Sequence, residues 1–242
     1  VALPQGLSFT LLLFAVLQFL PADWKWLRRC LISFLAGCFT LLQLNSAGLF
    51  RAEWERRKEL MQQLAWRAPQ LEPGTVLLMN NPEFLLSGEN SLSAELNWNY
   101  LREPHPCQAE YFIYFNEHRF LGDFSDIHAN RNQTQMHMFG PTALNPTHRL
   151  ALQFDSIGCL RILDPQMDAL DKGITSFTHS YISDTDLSVI QANAVEESLM
   201  LEPAIYGLES AHGWCYYYQK TDLARQLGDW QAAGEYARRG LE

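Results

Sequence analysis

Residues Cys30–Phe50 form a run of 21 without a charged side chain. A helix of that length rises about 31 Å, which matches a hydrocarbon core of about 30 Å. Val1–Leu20 is a second uncharged run. Pro4, Gln5 and Gly6 interrupt its start, but Leu7–Leu20 is dense in Leu and Phe. Two such runs so close together read as a transmembrane helical hairpin rather than as core helices. The first run lacks the basic leader and the small-residue cleavage site of a secretory signal. Between them, Pro21–Arg29 reads as an interfacial connector. Trp24 and Trp26 suit the headgroup zone, and Lys25, Arg28 and Arg29 suit lipid phosphate. The lipid bilayer is therefore the first expected partner. The overall hydrophobic content of 48% would by itself pass for a soluble protein, because the apolar residues are unevenly spread.

Charge divides the chain in the same place. Residues 1–67 carry a net charge of +4 and the remainder −13. An acidic domain without a basic stripe excludes nucleic acid as a partner, since that binding rests on neutralising phosphates. The five cysteines show no Cys-x-x-Cys pair, so neither a zinc site nor a redox motif is read. A Cys107–Cys159 disulfide is open to a domain outside the cytoplasm.

Beyond the apolar run, Phe50, Trp54, Met61, Leu64 and Ala65 continue a helical repeat to Ala68-Pro69, where proline disfavours a helical predecessor. Glu53 with Arg57, and Glu55 with Lys58, are spaced as intrahelical ion pairs. Residues 51–68 are expected to be a juxtamembrane helix with a solvated charged face that lifts the domain off the membrane. Short strands are expected at Thr75–Met79, Tyr111–Phe115 and Gln135–Phe139. A hairpin is expected from Arg149–Phe154 and Cys159–Leu163. A short helix is expected near Ser91–Asn99, with Ser91 as its cap, and another near 186–200. Residues 69–205 thus read as a mixed α/β domain with one core. In 206–242, two helices around Gly228-Asp229 carry Ala224, Leu227, Ala233, Tyr236 and Ala237 in the small-and-large pattern of a tetratricopeptide unit. One such unit cannot bury its apolar face alone. With no initiator Met, the chain reads as an internal fragment of a longer protein. The expected architecture is a membrane helical hairpin at 1–50, a mixed α/β soluble domain, and a tetratricopeptide-like αα-hairpin through which protein partners would bind.

Candidate chemistry is sparse. Asp123, Asp126, His128 and His137 could supply nitrogen and oxygen ligands, but their spacing matches no ligand motif. Glu83 and Glu89 could be an acid/base pair, although carboxylates six apart in a loop are usually solvated. Asn132-Gln-Thr134 fits a glycosylation acceptor. Ser87–Tyr100 mixes amides with Trp98 and Tyr100, which suits carbohydrate or headgroup contact. A capped helix with core aromatics explains the same residues and is preferred. No nucleophile elbow, zinc-protease or phosphate-loop pattern is present. No catalytic residue, cofactor site or metal site is therefore nominated.

The segments Trp66–Pro69, Pro73–Leu78, Asn90–Leu92, Leu96–Tyr100, Gly158–Pro165, His212–Tyr217 and Asp222–Trp230 resemble a group of uncharacterised bacterial multi-pass membrane proteins. In that group a membrane region precedes an α/β domain and a tetratricopeptide-like tail. The layout is similar to multi-pass glycosyltransferases that use lipid-linked sugars. Those enzymes keep their catalytic acid in an early loop between membrane helices. No such loop stands in this sequence, so the similarity carries over no catalytic residue. Basic residues number three in the connector and five in 51–67, which does not decide orientation. The resemblance implies a domain outside the cytoplasm, whereas tetratricopeptide arrays favour the inside. The expected function is the non-catalytic C-terminal module of a glycosyltransferase-like multi-pass membrane protein, extracytoplasmic in its soluble part. The alternative is a membrane-tethered scaffold acting through its helical repeats.

Overall fold

A computed structural model of the chain describes residues 24–79, 84, 86–101, 109–115, the backbone of 134–137 and 140–143, and residues 147–154, 158–171, 173–174, 179 and 181–242. The first apolar run therefore lies outside the described residues, and the structure describes one apolar helix rather than a hairpin. That helix, α1, spans Lys25–Arg67. At 1.5 Å per residue its 43 residues reach about 65 Å. Its basic start, Lys25–Arg29, is helical rather than a connector. Among the described residues it is the one helix long and apolar enough to cross a membrane. Trp26, Phe34, Leu41, Leu42, Leu44 and Phe50 are exposed on it. The Thr40 hydroxyl donates to the Ala36 carbonyl at 2.9 Å, so this polar group is satisfied within the helix.

The chain forms two compact units, Val1–Ala52 and Glu53–Glu242. The second is built on a four-stranded sheet. Its strands are β2 (Val76–Met79), β3 (Phe112–Phe115), β6 (Arg149–Gln153) and β7 (Arg161–Ile162), in the order β3-β2-β6-β7. β2 runs parallel to both β3 and β6, and β7 closes the edge antiparallel to β6. Parallel pairing demands cover on both faces. The strand residues divide with period two. Leu77, Met79, Ile113, Phe115, Leu150 and Leu152 face one core. Val76, Leu78, Phe112, Tyr114 and Ala151 face a second, covered by Leu163, Ile174, Tyr181 and Ile182.

Three helices supply the first core. They are the last turns of α1 (Leu60, Met61, Leu64), helix α2 (Glu89–Tyr100; Leu92, Leu96) and helix α4 (Trp214–Gln226; Leu223). Residues 60–67 of α1 are all buried. The expected solvated stalk is thus replaced, over these turns, by a core helix. The expected intrahelical pair of Glu53 with Arg57 also gives way to tertiary bonds. Glu53 accepts the Leu86 N–H at 2.7 Å, and Arg57 pairs with Glu95.

Helix α2 solves an edge problem. β3 is an edge strand, and its outward N–H groups need acceptors. Asn97 Oδ1 takes the N–H groups of Glu110 and Tyr111, Ser93 Oγ takes that of Ile113, and Glu89 Oε1 takes that of Phe115. Four helical residues rise about 6.0 Å, while two strand residues rise about 6.6 Å. A stripe at 89, 93 and 97 therefore stays in step with strand positions 115, 113 and 111. Ser91 does not cap this helix. Its N-cap is Gly88, without a side-chain bond.

Short strands β1 (Gln70–Leu71) and β8 (Ile190–Gln191) pair antiparallel. The backbone of β4 (Thr134–His137) pairs with that of β5 (Gly140–Ala143). The helix expected near 186–200 is instead a 3-10 turn at Leu187–Val189, strand β8, and irregular chain. Proline at 203 and Gly207, whose φ is +76°, bound a one-turn helix α3 (Pro203–Tyr206). α4 and α5 (Trp230–Leu241) meet at a turn in which Gly228 has φ +75° and Asp229 caps α5 by accepting the Ala232 N–H. A Cβ at Gly240 would stand 3.0 Å from Tyr217 Cβ, so α5 packs closely on α4 there. This gives a helical hairpin at 214–241. It belongs to the same compact unit as the sheet.

Asn97→Leu leaves two backbone N–H groups without their acceptor and is expected to destabilise the domain by about 3 kcal/mol. Trp98→Ala, one position away but 70% exposed, is expected to change stability by less than about 0.5 kcal/mol. Urea unfolding of both variants checks the contrast.

Candidate functional site

The last turns of α1 carry polar side chains on two adjoining faces. Gln63 and Arg67, four apart, meet α4. Gln63 Oε1 accepts the Leu160 N–H at 2.6 Å and a Gln219 Nε2–H at 3.2 Å, and Gln219 Nε2 also donates to the Leu160 carbonyl. Arg67 is wholly buried. It donates through Nε to Asp222 Oδ2 and through Nη1 to Gln226 Oε1, both at 2.7 Å. Asp222 also takes Arg225, and Arg225 Nη1 reaches Asp164 Oδ2 at 2.8 Å. Burial lowers the Arg67 pKa against the opposing pull of Asp222. At Arg225 burial acts the same way, but the bonds to Asp164 and Asp222 outweigh it and raise the pKa. Arg161 links Asp168 and Asp171 beside this chain of charges. A buried charge needs such partners.

Gln62, Ala65 and Trp66 form one wall of a cavity of about 240 Å³. The rest of the lining comes from the segment Ser198–Glu209, which includes α3, with Leu199, Leu201, Pro203 and Tyr206 among its residues. The polar groups around it are engaged. Trp66 Nε1–H donates to Glu209 Oε1 at 2.6 Å, and Ser210 Oγ to Gln62 Oε1 at 2.7 Å. The Tyr206 hydroxyl donates to Glu95 Oε1 at 2.9 Å and accepts from Asn99 Nδ2 at 2.8 Å, with its ring stacked on Trp54. Burial foremost pushes the Tyr206 pKa up. His212 stacks on Tyr216 at 3.6 Å between centroids and stands 3.4 Å from Glu209. Behind Ser198, the buried Lys220 Nζ donates to the Glu197 carbonyl and to Ser198 Oγ. Burial lowers its pKa to about 8, against the pull of Glu209, Glu196 and Glu197.

A disulfide joins Cys159 to Cys215, with Cα atoms 5.2 Å apart. It corrects the Cys107–Cys159 pairing considered from the sequence, since Cys159 already has a partner and Cys107 lies outside the described residues. It ties the start of α4 to the chain entering β7.

The residues weighed from the sequence fare differently. Asp123, Asp126, His128, Glu83 and Asn132 lie outside the described residues, and His137 is described only by its β4 backbone. Among the described residues no group of three His, Cys, Asp or Glu could hold a metal ion. Glu89 bonds the edge of β3, Asn97 is spent on that edge and Asn99 on Tyr206. Tyr100 is core, as the structural reading of that segment required, while Trp98 is exposed. The cavity and Lys220 are what sequence reasoning missed. The Pro203–Gly207 punctuation amid Leu199, Leu201 and Leu208 was the available signal. Ser198 Oγ, which lines the cavity, stands 2.8 Å from Lys220 Nζ, so a hydroxyl there faces an amine of lowered pKa. No family model, curated protein or solved structure matches the chain.

Arg67→Met removes one partner of a buried pair and is expected to cost about 3–5 kcal/mol. The double variant C159S/C215S opens a loop of 56 residues and is expected to cost about 4 kcal/mol. Chemical denaturation reads both. Lys220 has a folded pKa near 8 against an ordinary 10.5. Between these values the unfolded chain binds more protons, so stability contributed through this group rises with pH. The stability difference between wild type and Lys220→Met is expected to move in favour of wild type from pH 7.5 to 10.

Proposed function

We propose that this chain is the C-terminal, non-catalytic module of a glycosyltransferase-like integral membrane protein, with the Glu53–Glu242 domain in an oxidising, extracytoplasmic compartment. The observation that carries the location is the Cys159–Cys215 disulfide, because such bonds persist outside the reducing cytosol. The long apolar helix with its exposed Leu and Phe side chains supports membrane attachment. Carboxylates held by arginines or backbone N–H groups support a module that does no chemistry itself. The glycosyltransferase-like element rests on layout alone, a membrane region followed by a soluble α/β domain, which is similar to that of multi-pass glycosyltransferases using lipid-linked sugars.

Membranes carrying the full protein test this. Cys159 and Cys215 are expected to resist alkylation until reduced, and the protein is expected to stay with membranes in carbonate. Free thiols or release by carbonate would contradict the location. Sugar transfer from a polyprenyl-linked donor is expected to survive Glu95→Gln and Asp171→Asn. Its loss in folded variants would make the domain catalytic, and no transfer by the full protein would remove the glycosyltransferase element.

A membrane-tethered scaffold is the second reading. It is favoured by Trp230 and Leu241, large side chains left exposed on the α4–α5 hairpin. Binding of a partner that is lost on substituting both would support it.

A further inference from the structure

The rim of the cavity beside Trp66 is apolar and open. Met200 is 89% and Leu208 87% exposed, although they line a pocket together with Ala65, Leu199 and Leu201. Contiguous exposed apolar surface around a concavity marks a place where something docks. The charge around it selects what docks. No Lys or Arg occurs between Lys172 and Lys220, whereas Glu196, Glu197, Glu202 and Glu209 lie in the segment that forms the wall and its approaches. Two of the nearby cations are engaged elsewhere. Lys220 is buried and turned to the Glu197 carbonyl and Ser198. Arg57 is paired with Glu95. Lys58 stands near Gly207 at one side, and His212 stacks on Tyr216 beside Glu209.

An anionic lipid surface or a fatty acid would bring negative charge against these carboxylates. A sugar would meet Gln62 and Glu209 already engaged with Ser210 and Trp66. A peptide with a large apolar side chain flanked by Lys or Arg meets both the pocket and its rim. We infer that the cleft between α1 and Ser198–Glu209 docks a basic, apolar-anchored peptide segment of a partner protein. The anchor enters between Met200 and Leu208, and its flanking cations face Glu196 and Glu202. Charge sets the approach and the apolar anchor sets the lifetime. This inference is independent of the membrane and transfer readings.

The test uses the full chain in phosphatidylcholine nanodiscs and a Leu/Lys amphipathic peptide carrying photo-leucine, with binding corrected for empty discs. Leu/Glu and Ser/Lys peptides of equal length are the controls. The Leu/Lys peptide is expected to bind about tenfold more tightly than either control, with crosslinks mapped by mass spectrometry to residues 199–208. M200S/L208S, which alters only exposed side chains, is expected to weaken binding about tenfold. E196Q/E202Q is expected to weaken it about threefold and flatten its salt dependence. Equal binding of Ser/Lys would reduce the effect to bulk acidity, and equal binding of Leu/Glu to unselective stickiness. Absent binding, indifferent variants, or crosslinks on α5 or the apolar part of α1 would each overturn the proposal.

Discussion

The burial of the last turns of α1 is the constraint on which the domain depends. Leu60, Met61 and Leu64 fill the core between the sheet, α2 and α4. On the adjoining faces Gln63 and Arg67 fasten α4, while Gln62 and Trp66 wall the cavity. Each of these roles follows from the helical period, which brings positions three and four apart onto common stripes. A break anywhere in 60–67 would therefore disturb the core, α4 and the cavity together.

Polar groups do the specifying. An apolar core tolerates slippage, but a buried Arg67 that needs Asp222 and Gln226 fixes α4 in one register against α1. The Glu89, Ser93 and Asn97 stripe does the same for α2 against β3. It also shields an edge that would otherwise invite pairing with another chain. The disulfide holds the first turn of α4 next to β7. The C-terminal hairpin is thus fastened to the sheet domain at its first helix, while α5 presents Trp230 and Leu241 outward.

Much of this was legible in the sequence where one physical rule dominates. Length and lack of charge marked α1. Short apolar runs marked β2 and β3, the alternating hairpin strand marked β6, and Gly228-Asp229 marked the last turn. What escaped depends on partners distant in sequence. Glu53 and Arg57 have the spacing of an intrahelical pair, yet Leu86 and Glu95 compete for them and win. Ser91 is a good cap by type, but Gly88 takes the place. The 186–200 stretch has apolar residues at helical intervals, and its backbone instead pairs with Leu71 and turns past Asp186. The cysteine pairing needed the third dimension, since nothing in the spacing distinguishes Cys107 from Cys215.

Amide hydrogen exchange on the full chain measures the core role of α1 most directly. The amides of Leu60–Arg67 are expected to exchange with the slowest class, together with Val76–Met79 in the central strand. Exchange of Leu60–Arg67 far ahead of that strand would show a helix that merely leads to the domain, and would contradict the account.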